Sequence, residues 1–219
     1  MRKALYSLCA MLGIAASAAL TVPAQAAGSL DLAVPPPSSK IVIDVVTVNG
    51  SGCPAGSAAI AMSTDNTAFT VTYSKYLALV GVGATSTDLR KNCQLNLIVH
   101  VPTGFTFAIT SVDYRGYANI VKGATATERA NYYFQGQTAT AYTSHTFTGA
   151  YDNDWLTSDS VAIASQVWSP CGAQRNLNIN TELRVAAGTS NTKTTTSMIA
   201  MDSTDGEINT IYHFGWNQC

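Results

Sequence analysis

The chain has 219 residues, a formal net charge of −1 and only 11% charged side chains. It carries no run of basic or acidic residues, so neither nucleic acid nor an anionic membrane surface is an expected partner. The length favours one domain, and 47% hydrophobic residues suffice for one packed core.

Arg2 and Lys3 precede an apolar run from Ala4 to Val22, then Pro23 and the small-residue stretch Ala24-Gln25-Ala26. This pattern predicts a secretory signal peptide over residues 1–26 rather than a membrane anchor. No later segment approaches the ~20 apolar residues of a membrane span, so the mature chain is expected to be soluble, secreted and extracellular. Residues 27–40 read as a leader, extended by Pro35-Pro36-Pro37. From Ile41 to Cys219 the pattern is one secreted domain built strand after strand. "IVIDVVTVNG" is β-branched and ends in an Asn-Gly turn signal. In "CQLNLIVHVP", Leu95, Leu97, Val99 and Val101 alternate with Gln94, Asn96, Ile98 and His100. The stretch Asp152-Asn153-Asp154-Trp155 reads as a polar loop, and Asp88 to Asn92 is the best helix candidate, barely one turn long. "RNLNINTELRV" places Leu177, Ile179, Thr181, Leu183 and Val185 on one face and Asn176, Asn178, Asn180, Glu182 and Arg184 on the other. In "EINTIYHFGW" the same alternation sends Tyr212, Phe214 and Trp216 to the core. About ten short strands with turn residues between them predict an all-β fold, an antiparallel β-sandwich of jelly-roll-like or barrel-like form.

Cys53, Cys93, Cys171 and Cys219 remain after processing, and an even count in an exported chain predicts two disulfides. Of three pairings, Cys53–Cys93 and Cys171–Cys219 each close a moderate local loop and are the expected ones. No C-x-x-C spacing suggests zinc.

The stretches "GSGCPAGSA" (50–58), "RKNCQLNL" (90–97), "DYRGYA" (113–118), "YYFQGQ" (132–137), "PCG" (170–172), "RNLNINTELRV" (175–185), "MDSTDG" (201–206) and the terminal "WNQC" form a set. Together they resemble a widespread family of small secreted proteins of bacteria and filamentous fungi, catalogued as a domain of unknown function. The resemblance spans residues 50–219. It implies a secreted, disulfide-bonded domain and brings no established catalytic residues.

Chemistry must therefore be sought residue by residue. His100, His145 and His213 have no local metal-ligand spacing and read as separate strand histidines. No G-x-S-x-G elbow supports a serine nucleophile. Carboxylates are plentiful, among them Asp113, Glu128, Asp152, Asp154, Asp159 and Glu182, and a glycosidase would need two facing each other across a cleft. Asp113 and Arg115 lie two apart and share a strand face. Asp202, Asp205 and Glu207 around Gly206 are weak calcium candidates, although Asp205-Gly206 is first a hairpin turn signal. Otherwise no metal and no cofactor is expected. The simplest reading of the Asn176, Asn178, Asn180, Glu182 and Arg184 face is that it fronts water or pairs with polar neighbours across the sheet. Asparagine is a poor strand former, however, so three in alternation also suggest an amide ladder that binds another molecule's hydroxyls, or a buried polar network. Trp155, in its polar loop, is the expected exposed aromatic. The leading expectation is a non-catalytic extracellular or cell-surface binding module for polysaccharide or cell-wall material. Its candidate binding residues are Asn176, Asn178, Asn180, Glu182, Arg184, Trp155, Asp113 and Arg115. The alternatives are an extracellular hydrolase with a carboxylate pair, and a secreted effector or inhibitor that binds a protein.

Overall fold

The structure, a computed structural model, describes residues 34–160, 166–201 and 209–219. Twelve strands among the described residues form two antiparallel sheets. The five-stranded sheet runs β1 (Val42–Asn49), β5 (Arg90–His100), β10 (Leu177–Ala186), β7 (Thr125–Phe134), β8 (Ala141–Thr148). The seven-stranded sheet runs β2 (Ala58–Met62), β3 (Ala68–Tyr73), β12 (Thr210–Gln218), β6 (Phe105–Ile120), β11 (Thr196–Ala200), β4 (Leu77–Gly81). Its seventh strand, β9 (Tyr151–Ser160), pairs with β6. No helix occurs among the described residues, and none is long and apolar enough to cross a membrane. The fold is the expected β-sandwich.

Alternation decides which side chains lie between the sheets. Leu95, Leu97 and Val99 of β5, Leu177, Ile179, Leu183 and Val185 of β10, and Tyr212, Phe214 and Trp216 of β12 are all buried. Aromatic rings form the centre of the sandwich. Phe69 stacks on Tyr212 at 4.8 Å between centroids, and Phe107 meets Phe134 and Phe214 edge-on at 5.2 and 5.3 Å. Such offset and edge-to-face pairs add to the gain from burial alone.

Both expected disulfides are present, with Cα–Cα distances of 5.2 Å for Cys53–Cys93 and 5.7 Å for Cys171–Cys219. The second fastens the last residue of the chain. The far end of the leader also lies against the domain, joined through Asn66. That residue has φ 59°, a left-handed conformation that Asn tolerates better than most side chains. Its side-chain oxygen accepts from the Ile41 N–H at 3.1 Å, and its amide donates to the Pro37 and Ser39 carbonyls at 2.9 Å each. Its own carbonyl accepts from the Trp216 indole at 3.0 Å.

Two local expectations are corrected. Residues 152–155 belong to strand β9 and not to a loop, in register with Asn119 through Gly116 of β6. Asp88 closes a turn by accepting from Thr85, at its N–H (2.8 Å) and its hydroxyl (2.6 Å); strand β5 then starts at Arg90 where a helical turn was expected.

Candidate functional site

The outward face of the five-stranded sheet gathers most of the expected binding residues. Asn176, just before β10, and the asparagines of β10 do not simply front water. Asn178 lies opposite Asn96 of β5, whose amide donates to the Asn178 side-chain oxygen at 2.8 Å. Asn176 donates in turn to the Asn96 oxygen at 2.6 Å, so three amides form a ladder across two strands. Further along, Asn180 lies between Gln94 of β5 and Asn131 of β7. Glu182 then sits between Asn92 and Arg129 in register, and its carboxylate holds Arg90 and, at 3.4 Å, Arg184.

One groove lies on this polar track, and a second opens between the two sheets beside its Asn176 end. The first, of about 300 Å³, is lined by Arg90, Asn92, Gln94, Arg129, Asn131, Tyr142, Asn180 and Glu182. Tyr142 of β8 lies opposite Asn131 and is 64% exposed, the most exposed aromatic side chain described. The other groove, of about 420 Å³, lies between the ends of β5 and β6 and the segment before β10. His100, Phe105, Ser169, Gln174 and Arg175 are among its walls. His100 is held from both sides: its Nε2 lies 2.7 Å from Asp44, and its Nδ1 lies 3.3 Å from the Gln174 amide. Among the described residues, the first groove is lined by a single carboxylate and the second by none.

Trp155 is not the exposed aromatic. It is 4% exposed and packs between Phe147, at 5.1 Å, and Gly116, its partner across β9 and β6. A β-carbon at position 116 would overlap the Trp155 ring and the Ala200 carbonyl oxygen. The indole therefore lies where only glycine leaves room. The sequence signal was the glycine in "DYRGYA", which no reading of the polar "YDNDW" segment alone could connect to it.

Asp113 and Arg115 share the outward face of β6, on the other sheet and away from the amide ladder. Asp113 accepts from the Ser158 hydroxyl and lies 3.0 Å from His213 Nε2, and these bonds hold its carboxyl below the usual range. The aspartate is central here, so the serine proton points at a carboxylate and not at an imidazole. That order is not the one that activates a serine nucleophile. Each of the three histidines is paired with an aspartate, the third pair being His145–Asp159 at 2.9 Å. Asp202, Asp205 and Glu207 lie outside the described residues. Among the described residues no group of three or more His, Cys, Asp or Glu is placed to hold a metal.

A second polar cluster lies inside the sandwich. Glu128 of β7 is fully buried and neither carboxyl oxygen has a hydrogen-bond partner. Burial first, and then the Asp159 charge, push its carboxyl up to about 8. Tyr73, Tyr114, Tyr132 and Tyr212, each with an unpartnered buried hydroxyl, and Tyr76, bonded to Thr181 at 2.9 Å, all have their hydroxyls pushed up, first by burial and then by neighbours that include Glu128. His145 is its neighbour across β8, and the His145–Asp159 bond joins the edge strands β8 and β9 of the two sheets. Alternation with Ala126, Ala130, Tyr132 and Phe134 was the signal that Glu128 points inward.

The comparisons with known proteins agree with the resemblance. A secreted protein of Arthroderma benhamiae, named only as uncharacterized, is 41% identical over 184 residues, covering 84% of this chain and 74% of its own. A solved structure of the enzymatically active domain of bacteriophage CBA120 tailspike protein 4 aligns at 14% identity with a TM-score of 0.25. The alignment covers 79% of this chain and 19% of the tailspike chain, and a likeness that weak carries no argument. The sequence pattern of the domain of unknown function DUF4360 matches residues 39–219, and the chain belongs to that family.

Proposed function

We propose that this is a secreted, non-catalytic module whose five-stranded sheet binds polysaccharide with its outward face. The carrying observation is the track of amides that ends in a groove beside exposed Tyr142. Sugar hydroxyls need donors and acceptors together, and each amide supplies both. A sugar ring also offers an apolar face, which a partly exposed tyrosine ring can cover. The secreted relative and the predicted signal peptide support an extracellular setting. The hydrolase reading gains nothing from the grooves, since neither brings two carboxylates together among the described residues.

Retention on insoluble cell-wall material, chitin and cellulose tests the proposal. Wild-type protein should be retained on at least one of them. Tyr142→Ala should fold normally and lose retention, and Asn178→Thr should weaken it. Retention on none of these polymers would overturn the reading.

A protein-binding role has one observation behind it. Strand β1 is an edge of the five-stranded sheet and leaves Val42, Val45 and Val46 47%, 45% and 48% exposed. An apolar sheet edge is a template for pairing with another strand. Val45→Lys should then abolish capture of the partner and leave polymer retention intact.

A further inference from the structure

The charge on this face and in the groove beside its Asn176 end is opposite in sign to that of the chain. The amide track and its two grooves carry Arg90, Arg129, Arg175 and Arg184 against the carboxylates of Glu182 and Asp44. Both carboxylates have a partner: Glu182 is bonded to Arg90 through one oxygen, with Arg184 3.4 Å from the other, and Asp44 is bonded to His100. Arg129 and Arg175 have no ion pair or hydrogen bond among the described residues, and each lines one groove. The net charge of the whole chain is −1, so this concentration of guanidinium groups is local.

We infer that the polymer bound by this face is acidic, a polysaccharide bearing sugar carboxylates, with Arg129 and Arg175 each meeting a carboxylate in its own groove. The inference rests on the polysaccharide reading above and names its substrate class. A guanidinium presents a planar fork of donors that matches a carboxylate with two parallel hydrogen bonds. Glu182 is bonded to Arg90 through one oxygen, and Arg129, its cross-strand neighbour on β7, makes no ion pair with it. From Asn176 to Glu182 the track extends about 20 Å along β10 at the rise of a β-strand. That length holds a run of sugar rings, so charges at both ends select a polymer with repeated carboxylates over a single acidic sugar.

The test is binding of the full mature protein to polygalacturonate, to the same polymer after methyl esterification, and to polyglutamate. The expected result is binding to polygalacturonate that weakens with salt and is at least about tenfold tighter than to the esterified form. Arg129→Gln and Arg175→Gln should each weaken polygalacturonate binding about tenfold and leave thermal unfolding unchanged, because neither guanidinium has a partner to lose. Arg115→Gln, on the opposite sheet, should bind as wild type. Equal binding to the charged and esterified polymers would overturn this inference and leave the polysaccharide reading standing. Polyglutamate binding as tight as polygalacturonate binding would show that charge alone is read, and would overturn both. Binding to none of these, with no retention on neutral polymers, would also overturn both.

Discussion

Replacing Glu128 by glutamine should change how stability depends on pH more than it changes stability itself. The carboxyl is fully buried, and its folded-state value is raised from 4.5 to about 8. The native protein therefore keeps this proton across a range in which the unfolded chain has released it. The unfolded state then binds fewer protons, so stability falls as pH rises. The contribution is complete below 4.5, declines between 4.5 and 8, and is flat above. Each unit is worth about 1.4 kcal/mol, so the loss from pH 4.5 to 7.5 is roughly 4 kcal/mol. A domain of this size has about 5–15 kcal/mol in total, so the effect is large. Glutamine has nearly the same shape and cannot ionise. The difference in unfolding free energy, variant minus wild type, should climb by roughly 4 kcal/mol over that interval. Distant groups such as Asp65 and Asp113 shape both profiles alike and cancel in the difference. Asp159 and His145 are the ionisable groups that face Glu128. Urea unfolding at pH 4.5, 6, 7.5 and 9 reads it directly. Parallel profiles for the two proteins would refute the claim that a buried neutral carboxylic acid lies in the core.

Other consequences follow from single side chains. Asn66→Ala removes three side-chain hydrogen bonds and puts alanine at φ 59°, so it should cost about 2–4 kcal/mol in urea unfolding. Gly116→Ala forces a methyl group against the Trp155 ring and the Ala200 carbonyl, and should lower stability by about 1–3 kcal/mol with a changed tryptophan fluorescence. Replacing both Cys171 and Cys219 by serine opens a connection 48 residues apart in sequence and should cost about 4 kcal/mol, read as a lower denaturation midpoint.

Much of the sandwich was legible because alternation is a local property. Leu95, Leu97 and Val99 needed only their own strand to declare a buried face, and so did Tyr212, Phe214 and Trp216. The disulfide pairing was legible because each bridge closes a moderate loop. What lay beyond reach was pairing between distant strands. Nothing near Trp155 announces that Gly116 will lie opposite it, so the density of Asp and Asn around the indole suggested a wet loop. The same limit applied to the asparagines: their alternation was visible, while Asn96, the residue that joins Asn176 to Asn178, comes from β5. Tyr142 could be placed on one side of β8 by parity, with Ser144 and Thr146. Which side faced solvent depended on β7 beside it. Glu128 is the reverse case, since its parity with Ala126 and Ala130 pointed inward and only its charge argued against burial.

The central claim is that the outward face of the five-stranded sheet is the binding surface. Amide chemical-shift mapping during titration with a soluble acidic oligosaccharide tests it most directly. Shifts should cluster at Gln94, Asn96, Arg129, Asn131, Tyr142, Asn178 and Asn180, with Asp113, Arg115 and Ser158 on the opposite sheet unmoved. Shifts confined to the opposite sheet or to the β1 edge would contradict it.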